Sequence, residues 1–406
     1  MRRRVPHKKG GAGRGRAPST GVRRRSVRAR RLRVGVIFGG RSVEHEVSLV
    51  SARAIMAALD PERYEVVPIG VGKNGRWVTG GVRCALPGDP SVGGLVVLPD
   101  GLRSRRPAPG GRADNRRNGA LDVIFPVMHG TGGEDGALQG LLELANIPYV
   151  GAGVLGSALG MDKATMKTAF RQAGLPIVDY RVVGRREIGR DPERIVALIE
   201  EAFGYPCFTK PSNGGSSVGV SKVRNRAALL RGLSLAARYD RRIMVERGIN
   251  AREIECSVLG NDDPEASVVG EIVPAHEFYD YDAKYCDAGS RLIIPAPIPP
   301  PQAQLVRELA VRAFQVLDLA GMARVDFFLD RDTEAVFINE LNTIPGFTPI
   351  SMYPKLWEAS GMPFAALVDR LIQLALERHA EKKSLVTSYD AGGRSRGRLD
   401  KVRVRS

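Results

Sequence analysis

The residues best suited to chemistry stand on two short segments late in the chain, Arg324-Val-Asp326 and Glu340-Leu-Asn342. Alternate residues of a β-strand share one face, so Arg324 goes with Asp326 and Glu340 with Asn342. The segments flank a turn over Asp330–Glu334 and read as a hairpin. If Asp326 lies opposite Glu340, all four side chains point the same way. Two carboxylates and an amide oxygen suit a hard cation such as Mg²⁺, with phosphate oxygens completing its shell. Arg324 beside them is placed to neutralise a developing oxyanion. The turn that follows, Asn342-Thr-Ile-Pro-Gly-Phe-Thr-Pro-Ile-Ser351, is rich in backbone donors and hydroxyls. That context favours a working site over a solvated polar face.

Four more segments stand at the ends of strands, three of them with polar side chains. In Lys210-Pro-Ser-Asn-Gly-Gly-Ser-Ser-Val-Gly219, a strand ends in Lys and enters a Gly/Ser loop. Glycines let backbone N–H groups approach phosphates, and the hydroxyls of Ser216 and Ser217 add donors. The Lys precedes the glycines, so this is not a P-loop. Gly151-Ala-Gly-Val-Leu-Gly156 matches G-x-G-x-x-G, a weak signal in a chain with 47 Gly. It reads as a tight connection between domains. The turn Gly39–Ser48 puts Glu44 and Glu46 at the carboxyl end of the first strand, where α/β sheets bind ligands. A carboxylate there could hold an ammonium, and acids are also favoured in a first helical turn. His129-Gly-Thr-Gly-Gly-Glu-Asp-Gly136 ends the third strand at the same sheet edge. His129 is a site candidate by position, with a structural histidine as the competing reading.

These residues need an α/β and α+β scaffold. Strands at 33–38, 65–71 and 122–128, a helix at 48–59, another at 135–145 and a short strand at 148–150 form a parallel α/β domain, residues 32–150. Residues 72–118 read as an insertion or elaborated loop. A smaller α+β unit, 151–240, has helices at 163–173, 192–203 and 226–238 and strands at 177–183, 205–210 and 220–223. A larger mixed unit, 241–380, has strands at 243–246, 254–259 and 267–272, a helix at 302–319, the hairpin and a last helix at 363–378. Residues 279–291 form a polar, Tyr-rich loop.

The charge of +17 on 406 residues is segregated. Residues 1–31, 103–117 and 381–406 carry +13, +5 and +5, which leaves −6 on the rest. The arm 1–31 reads as a disordered solvated tail or a start-site artefact, and 381–406 as a disordered tail. The arm has no aromatic residue to stack a base, so no specific nucleic-acid partner is expected. Cys84, Cys207, Cys256 and Cys286 show no metal or disulfide spacing. No apolar run spans a bilayer and no secretory signal is visible, which points to the cytoplasm.

Taken in order, Gly39–Ser48, His129–Gly136, Met161-Asp-Lys163, Lys210–Gly219, Glu277–Tyr285, Arg324–Asp326 and Asn339–Ser351 resemble the D-alanine–D-alanine ligases of the ATP-grasp family. The resemblance runs from about Arg33 to Ala380. It implies an N-terminal parallel α/β domain, then an ATP-grasp fold of two α+β subdomains. It also implies ATP-dependent joining of two D-alanines through an acylphosphate, for peptidoglycan precursors. By the same resemblance, Lys163 and Lys210 hold ATP phosphates, with Ser217 in the phosphate loop, and Glu246 and Glu253 flank the adenosine. Asp326, Glu340 and Asn342 ligate two Mg²⁺, which Mn²⁺ can replace. Arg324 and the Gly346 amide stabilise the oxyanion. Glu44 binds the first ammonium, Ser216 and Tyr285 connect to it, and His129 lies near that substrate. Lys284 meets the transferred phosphate and Ser351 takes the second carboxylate. A homodimer is usual for the family.

The polar loop at 277–291 suits the lid that an acylphosphate needs against water. The sequence departs from the family pattern in its arm, its tail, the Arg103–Arg117 insert and Thr209 before Lys210. The nearest rival is a D-alanine–D-lactate ligase of the same fold, against which Ala283-Lys-Tyr285 argues. A nucleotide-cofactor oxidoreductase built on Gly151–Gly156 gives Asp326, Glu340 and Asn342 no role. A nucleic-acid-binding protein would rest on the arm alone.

Overall fold

The computed structural model describes residues 30–79, 82–84, 121–274 and 291–386. Lys284, Tyr285 and the insert 103–117 lie outside the described residues, as do most of the arm and tail.

β-Branched runs form the inner strands of the first sheet, β1 (Leu32–Gly39), β2 (Tyr64–Val71) and β5 (Val123–Val127). β1 lies between β2 and β5 and runs parallel to both. Val34, Val36, Val123 and Phe125 are buried, as a parallel strand covered on both faces requires. The antiparallel strands β3 (Trp77–Thr79) and β4 (Val82–Cys84) extend the edge beyond β2, where only loop was expected. Helix α1 (His45–Ala58) crosses from β1 to β2 and starts three residues before the expected Ser48. After α2 (Ala137–Leu144), the expected strand at 148–150 reduces to one bridge, Ile124 with Tyr149. The chain turns away at Gly151, where φ is +95°. The Gly-rich run 151–156 is a joint: a Cβ on Gly321 would lie 3.0 Å from the Gly151 nitrogen. A helix not expected from the sequence pattern, α3 (Val154–Met161), begins inside it.

The second sheet is antiparallel, in the order β6 (Tyr180–Gly184), β9 (Arg242–Arg247), β7 (Cys207–Pro211), β8 (Ser221–Val223). Helix α4 (Lys163–Gln172) leads into it, and α5 (Arg185–Arg190), α6 (Pro192–Ala202) and α7 (Arg226–Ala236) accompany it. Caps fix the starts of three of these helices: Asp162 accepts from Thr165 N, Asp191 from Arg194 N and Asn225 from Ala228 N. Strand β9 lies beyond the boundary expected at 240 but pairs in this sheet. Strand β9 belongs to this sheet, because Ile243 and Val245 pack with Val183, Ile195 and Leu233. The third unit begins after Arg247.

The third sheet has the order β12 (Arg291–Ile293), β11 (Glu265–Val273), β10 (Ala251–Gly260), β13 (Gly321–Asp330), β14 (Val336–Asn342). Helix α8 (Pro300–Val316) buries Val306, Leu309 and Phe314 against it. Helices α9 (Met352–Ala359) and α10 (Phe364–Ser384) supply Tyr353, Trp357, Leu367 and Leu371 to a core shared with Val34 and Phe125 of the first sheet and Ile55 of α1. Each such side chain contributes about 1.5–3 kcal/mol when fully buried, so this shared core fixes the first sheet against the third. Helix α10 continues past the expected end at Arg378, to Ser384. Arg378 donates to Gly151 O at 2.5 Å and Tyr149 O at 3.2 Å, and Lys382 pairs with Glu143. The end of the arm is also docked, since Arg30 reaches Asp122 at 2.5 Å. No helix among the described residues is long and apolar enough to cross a membrane.

Candidate active site

The hairpin of β13 and β14 sets Asp326 opposite Glu340 and Arg324 opposite Asn342. Ile338 pairs with Phe327, so Asn339 is a bulge that ends the regular ladder beside Glu340. Arg324 binds Asp326 through two bonds, Nε to Oδ1 at 2.7 Å and Nη2 to Oδ2 at 2.8 Å. Glu255, opposite Asp326 on the other neighbouring strand β10, meets Arg324 Nε at 3.0 Å. Burial works against the guanidinium charge, but the carboxylates of Asp326 and Glu255 overcome it and hold Arg324 protonated well above its usual range. The Asn342 amide donates to Asp326 Oδ2 at 3.0 Å. Lys163 approaches Glu340 at 3.4 Å and donates to Gly214 O at 2.7 Å.

The Lys210–Gly219 loop packs across from this hairpin. Lys210 lies next to the end of β7, and its ammonium lies 2.6 Å from Glu246 on β9. Ser216 and Ser217 both have positive φ, +49° and +56°, a backbone state that a non-glycine residue holds only when its surroundings enforce it. Part of that enforcement is a hydrogen bond from Ser216 to Glu44 Oε1, which ties the loop to the first sheet. Glu44 is buried just ahead of α1, and its other oxygen, Oε2, has no hydrogen-bond partner. A Cβ on Gly130 or Gly215 would come within 2.8 Å of that oxygen, so both glycines leave room beside it. Glu46, by contrast, is exposed and pairs with Lys73 at 2.7 Å.

His129 lies two residues past β5 and bonds through Nδ1 to Ile344 O at 3.0 Å, which requires Nδ1 to carry the proton. Its Nε2 lies 3.4 Å from Ser51 Oγ, and Ser51 accepts from Phe347 N at 3.1 Å. Burial keeps the imidazole neutral, lowering its pKa against the pull of Glu44. Glu134 accepts from Gly130 N at 2.6 Å and from Ile344 N at 3.2 Å. The two residues thus clamp the 343–347 turn to the first sheet. That turn brings Gly346 so close to Ser351 that a Cβ would lie 2.7 Å from the Ser351 hydroxyl. Thr348 N donates to the same hydroxyl at 3.0 Å.

Burial, reinforced by the Glu44 charge, raises the Glu134 carboxyl to about 8. The folded form then binds a proton that the unfolded chain has released, so stability should fall as pH rises from about 4.5 to about 8. Glu134→Gln is expected to flatten that slope in melting temperature against pH. An unchanged slope would contradict the assignment.

All fourteen expected site residues within the described chain line one cleft of about 930 Å³. Glu255, Glu134, Ser51 and Lys167 also belong to its surroundings and were not anticipated. Glu255 shares a strand face with Glu253, but its meeting with Arg324 depends on the β10–β13 register. Lys167 stands one helical turn after Lys163, a spacing that could have flagged it. No group of three His, Cys, Asp or Glu residues with metal-site geometry occurs among the described residues. The hairpin offers two carboxylates and an amide instead.

Residues 33–152 match the family described as D-ala D-ala ligase N-terminus, and residues 169–373 match D-ala D-ala ligase C-terminus. A D-alanine–D-alanine ligase of Thermoanaerobacter sp. (strain X514) is 51% identical over 366 residues, covering 86% of this chain and 98% of that one. The structure of the D-alanine–D-alanine ligase from Coxiella burnetii aligns at TM-score 0.71 and 38% identity, over 87% of this chain and 96% of that one. The VanG D-Ala:D-Ser ligase from Enterococcus faecalis aligns at TM-score 0.72 and 33% identity, over 85% of this chain and 100% of that one.

Proposed function

The chain belongs to the D-alanine–D-alanine ligase family, and from that premise we propose that its cleft joins two D-alanines at the expense of ATP, for peptidoglycan precursors. The observation that carries the reading is the convergence of three sheets. Glu44 comes from the first, Lys210 from the second, and Arg324, Asp326 and Glu340 from the third.

In this reading the γ-phosphoryl of ATP moves to a carboxylate oxygen of the first D-alanine, giving an acylphosphate and ADP. The amine of the second D-alanine attacks the acyl carbon, and phosphate leaves from the tetrahedral intermediate. Lys163, Lys210 and the Ser217 hydroxyl hold the ATP phosphates, while Glu246 and Glu253 flank the adenosine. The unpartnered Glu44 Oε2 takes the first ammonium, with Ser216 orienting the carboxylate. Arg324 and the Gly346 N–H face the oxygen on which charge develops. Ser351 takes the second carboxylate. His129 works by holding Ile344 O, and hence the turn that presents Gly346. Lys284 and Tyr285 are assigned to the transferred phosphate and the closing lid. Residues 32–150 chiefly bind the first substrate, and the two sheets that follow grasp the nucleotide.

The hairpin's donor set fits Mg²⁺, because Asp326, Glu340 and the Asn342 side-chain oxygen are hard ligands on one face. Asn342 needs only its amide turned over, an assignment set by its neighbours. Two ions, replaceable by Mn²⁺, would neutralise charge on the transferring phosphoryl group. We assign the working enzyme to the cytoplasm, as a homodimer, because ATP is its substrate and dimers are usual in the family.

Purified protein given ATP, Mg²⁺ and D-alanine should release phosphate and form the dipeptide, and chelation should stop both. Deleting residues 1–31 should leave turnover intact. D-Lactate and D-serine offered as second substrates test the choice of product, and D-alanine should be preferred. Failure to release phosphate with D-alanine would remove the proposal.

A further inference from the structure

Lys167 on α4 is fully buried, and the roles assigned so far leave it without a task. Its ammonium lies 2.6 Å from Glu246 Oε1 and donates to Ile338 O at 3.3 Å. The other oxygen of Glu246 takes Lys210 at 2.6 Å. One buried carboxylate therefore holds two ammonium groups, of which Lys210 lines the cleft and Lys167 sits behind it. Resting on the reading of Lys210 as a phosphate ligand, we infer that Lys167 is the counter-ion that releases Lys210 from Glu246 to the incoming nucleotide.

The argument is one of charge. A buried carboxylate stripped of its only cation is strongly destabilised, because neither water nor a partner compensates it. With Lys167 in place, Glu246 keeps an ion pair when Lys210 turns to the phosphates. Without it, Lys210 is the sole partner and stays where it is. The two ammoniums also repel each other across Glu246. Burial pulls the Lys167 pKa down, and the Lys210 charge adds to this against the attraction of Glu246. Departure of Lys210 therefore strengthens the pair that remains. Burial likewise works to raise the Glu246 carboxyl, and the two ammoniums overcome it, so the carboxylate stays ionised. The bond to Ile338 O adds a geometric role. Ile338 lies two residues before Glu340 on β14, so Lys167 joins the strand of Glu246 to the strand of the hairpin carboxylates. Lys167 is thus a positioning residue that acts through Lys210 and both walls of the nucleotide site.

The test is a double-mutant cycle with ATP affinity as its readout, measured by calorimetry on the full chain without D-alanine. Lys167→Met should weaken ATP binding by about tenfold or more, the mark of a cation held by its remaining carboxylate. At saturating ATP, kcat should stay within about threefold and the KM for D-alanine should not move, since uniform binding alone is lost. In a Glu246→Gln background no carboxylate detains Lys210, so the same substitution should leave ATP affinity unchanged. Wild-type ATP affinity in Lys167→Met, or an equal loss in both backgrounds, would overturn the inference. If Lys167→Met does not fold, Lys167→Arg serves: it should keep ATP affinity, and a folded Arg variant that loses ATP would equally overturn it. Wild-type turnover is read in parallel, so a protein that never uses ATP refutes the ligase reading, whereas an active protein with an indifferent Lys167 refutes only this one.

Discussion

Asp326→Asn is expected to lower kcat by about 10³-fold or more while the protein stays folded. Transfer of a phosphoryl group between anions depends almost wholly on positioned positive charge, whose individual components are worth on the order of 10³–10⁵ in rate. In the proposed site Asp326 would serve that charge twice. Its carboxylate is one of the three hard donors on the hairpin face, and it holds Arg324 through two bonds, at 2.7 and 2.8 Å. Asparagine keeps the shape and leaves Arg324 its contact with Glu255 at 3.0 Å. Folding should therefore change little, with a shift of a few degrees in melting temperature. Phosphate release and dipeptide formation should fall together. A kcat within tenfold of wild type at saturating Mg²⁺ would remove Asp326 from the site. Glu340→Gln, on the facing strand, should behave in the same way.

Glu44→Gln should show a different pattern. Its Oε2 is a buried anionic oxygen with no partner in a polar cleft, held in place from the other oxygen by Ser216. Truncating one partner of a buried charge pair costs about 2–5 kcal/mol, so kcat/KM for the first D-alanine should fall by about 10²–10³-fold. Glutamine can still accept from Ser216, which keeps the loop docked. ATP affinity should therefore stay near the wild-type value. Initial rates over a range of D-alanine, fitted with one constant for each of the two substrate positions, should show only the first-substrate constant moving. A variant whose ATP affinity collapses along with its use of D-alanine would show that Glu44 acts on the loop rather than on the substrate.

The two variants differ in what made their targets legible. Asp326 and Glu340 can be placed on neighbouring strands from the sequence, because strand parity and a short turn constrain how two adjacent strands meet. The pairing itself is only conditional from sequence: the ladder next to the turn, Phe327 with Ile338, would set Asp326 against Asn339, and the bulge at Asn339 brings Glu340 opposite Asp326 instead. Glu44 was legible by position, at the carboxyl end of the first strand of a parallel sheet, while Glu46 two residues on is exposed and paired with Lys73. Local patterning also located most of the helices and strands. It missed α3 and α9, which are short and lie in Gly- and Pro-rich runs, the six-residue α5 and the three-residue strands β3, β4 and β12, and it put β9 with the third sheet, whereas β9 pairs in the second. A strand's apolar residues indicate that it is buried without naming its neighbours.

Residue types, their order and their strand or helix setting, read from the sequence alone, were enough for a phosphoryl-transfer site on an α/β scaffold and for a family resemblance. Those properties depend on the local chain, whose periodicity and turn chemistry are set within a few residues. Only the tertiary structure decided which charges compensate one another. Glu255 beside Arg324, Glu134 under the 343–347 turn, and Lys167 with Lys210 on Glu246 are contacts between strands and helices far apart in the chain. Their energies depend on burial and on distances of about 3 Å, because charge pairing weakens steeply once water enters between the groups. Neither quantity exists until three sheets have closed on one cleft.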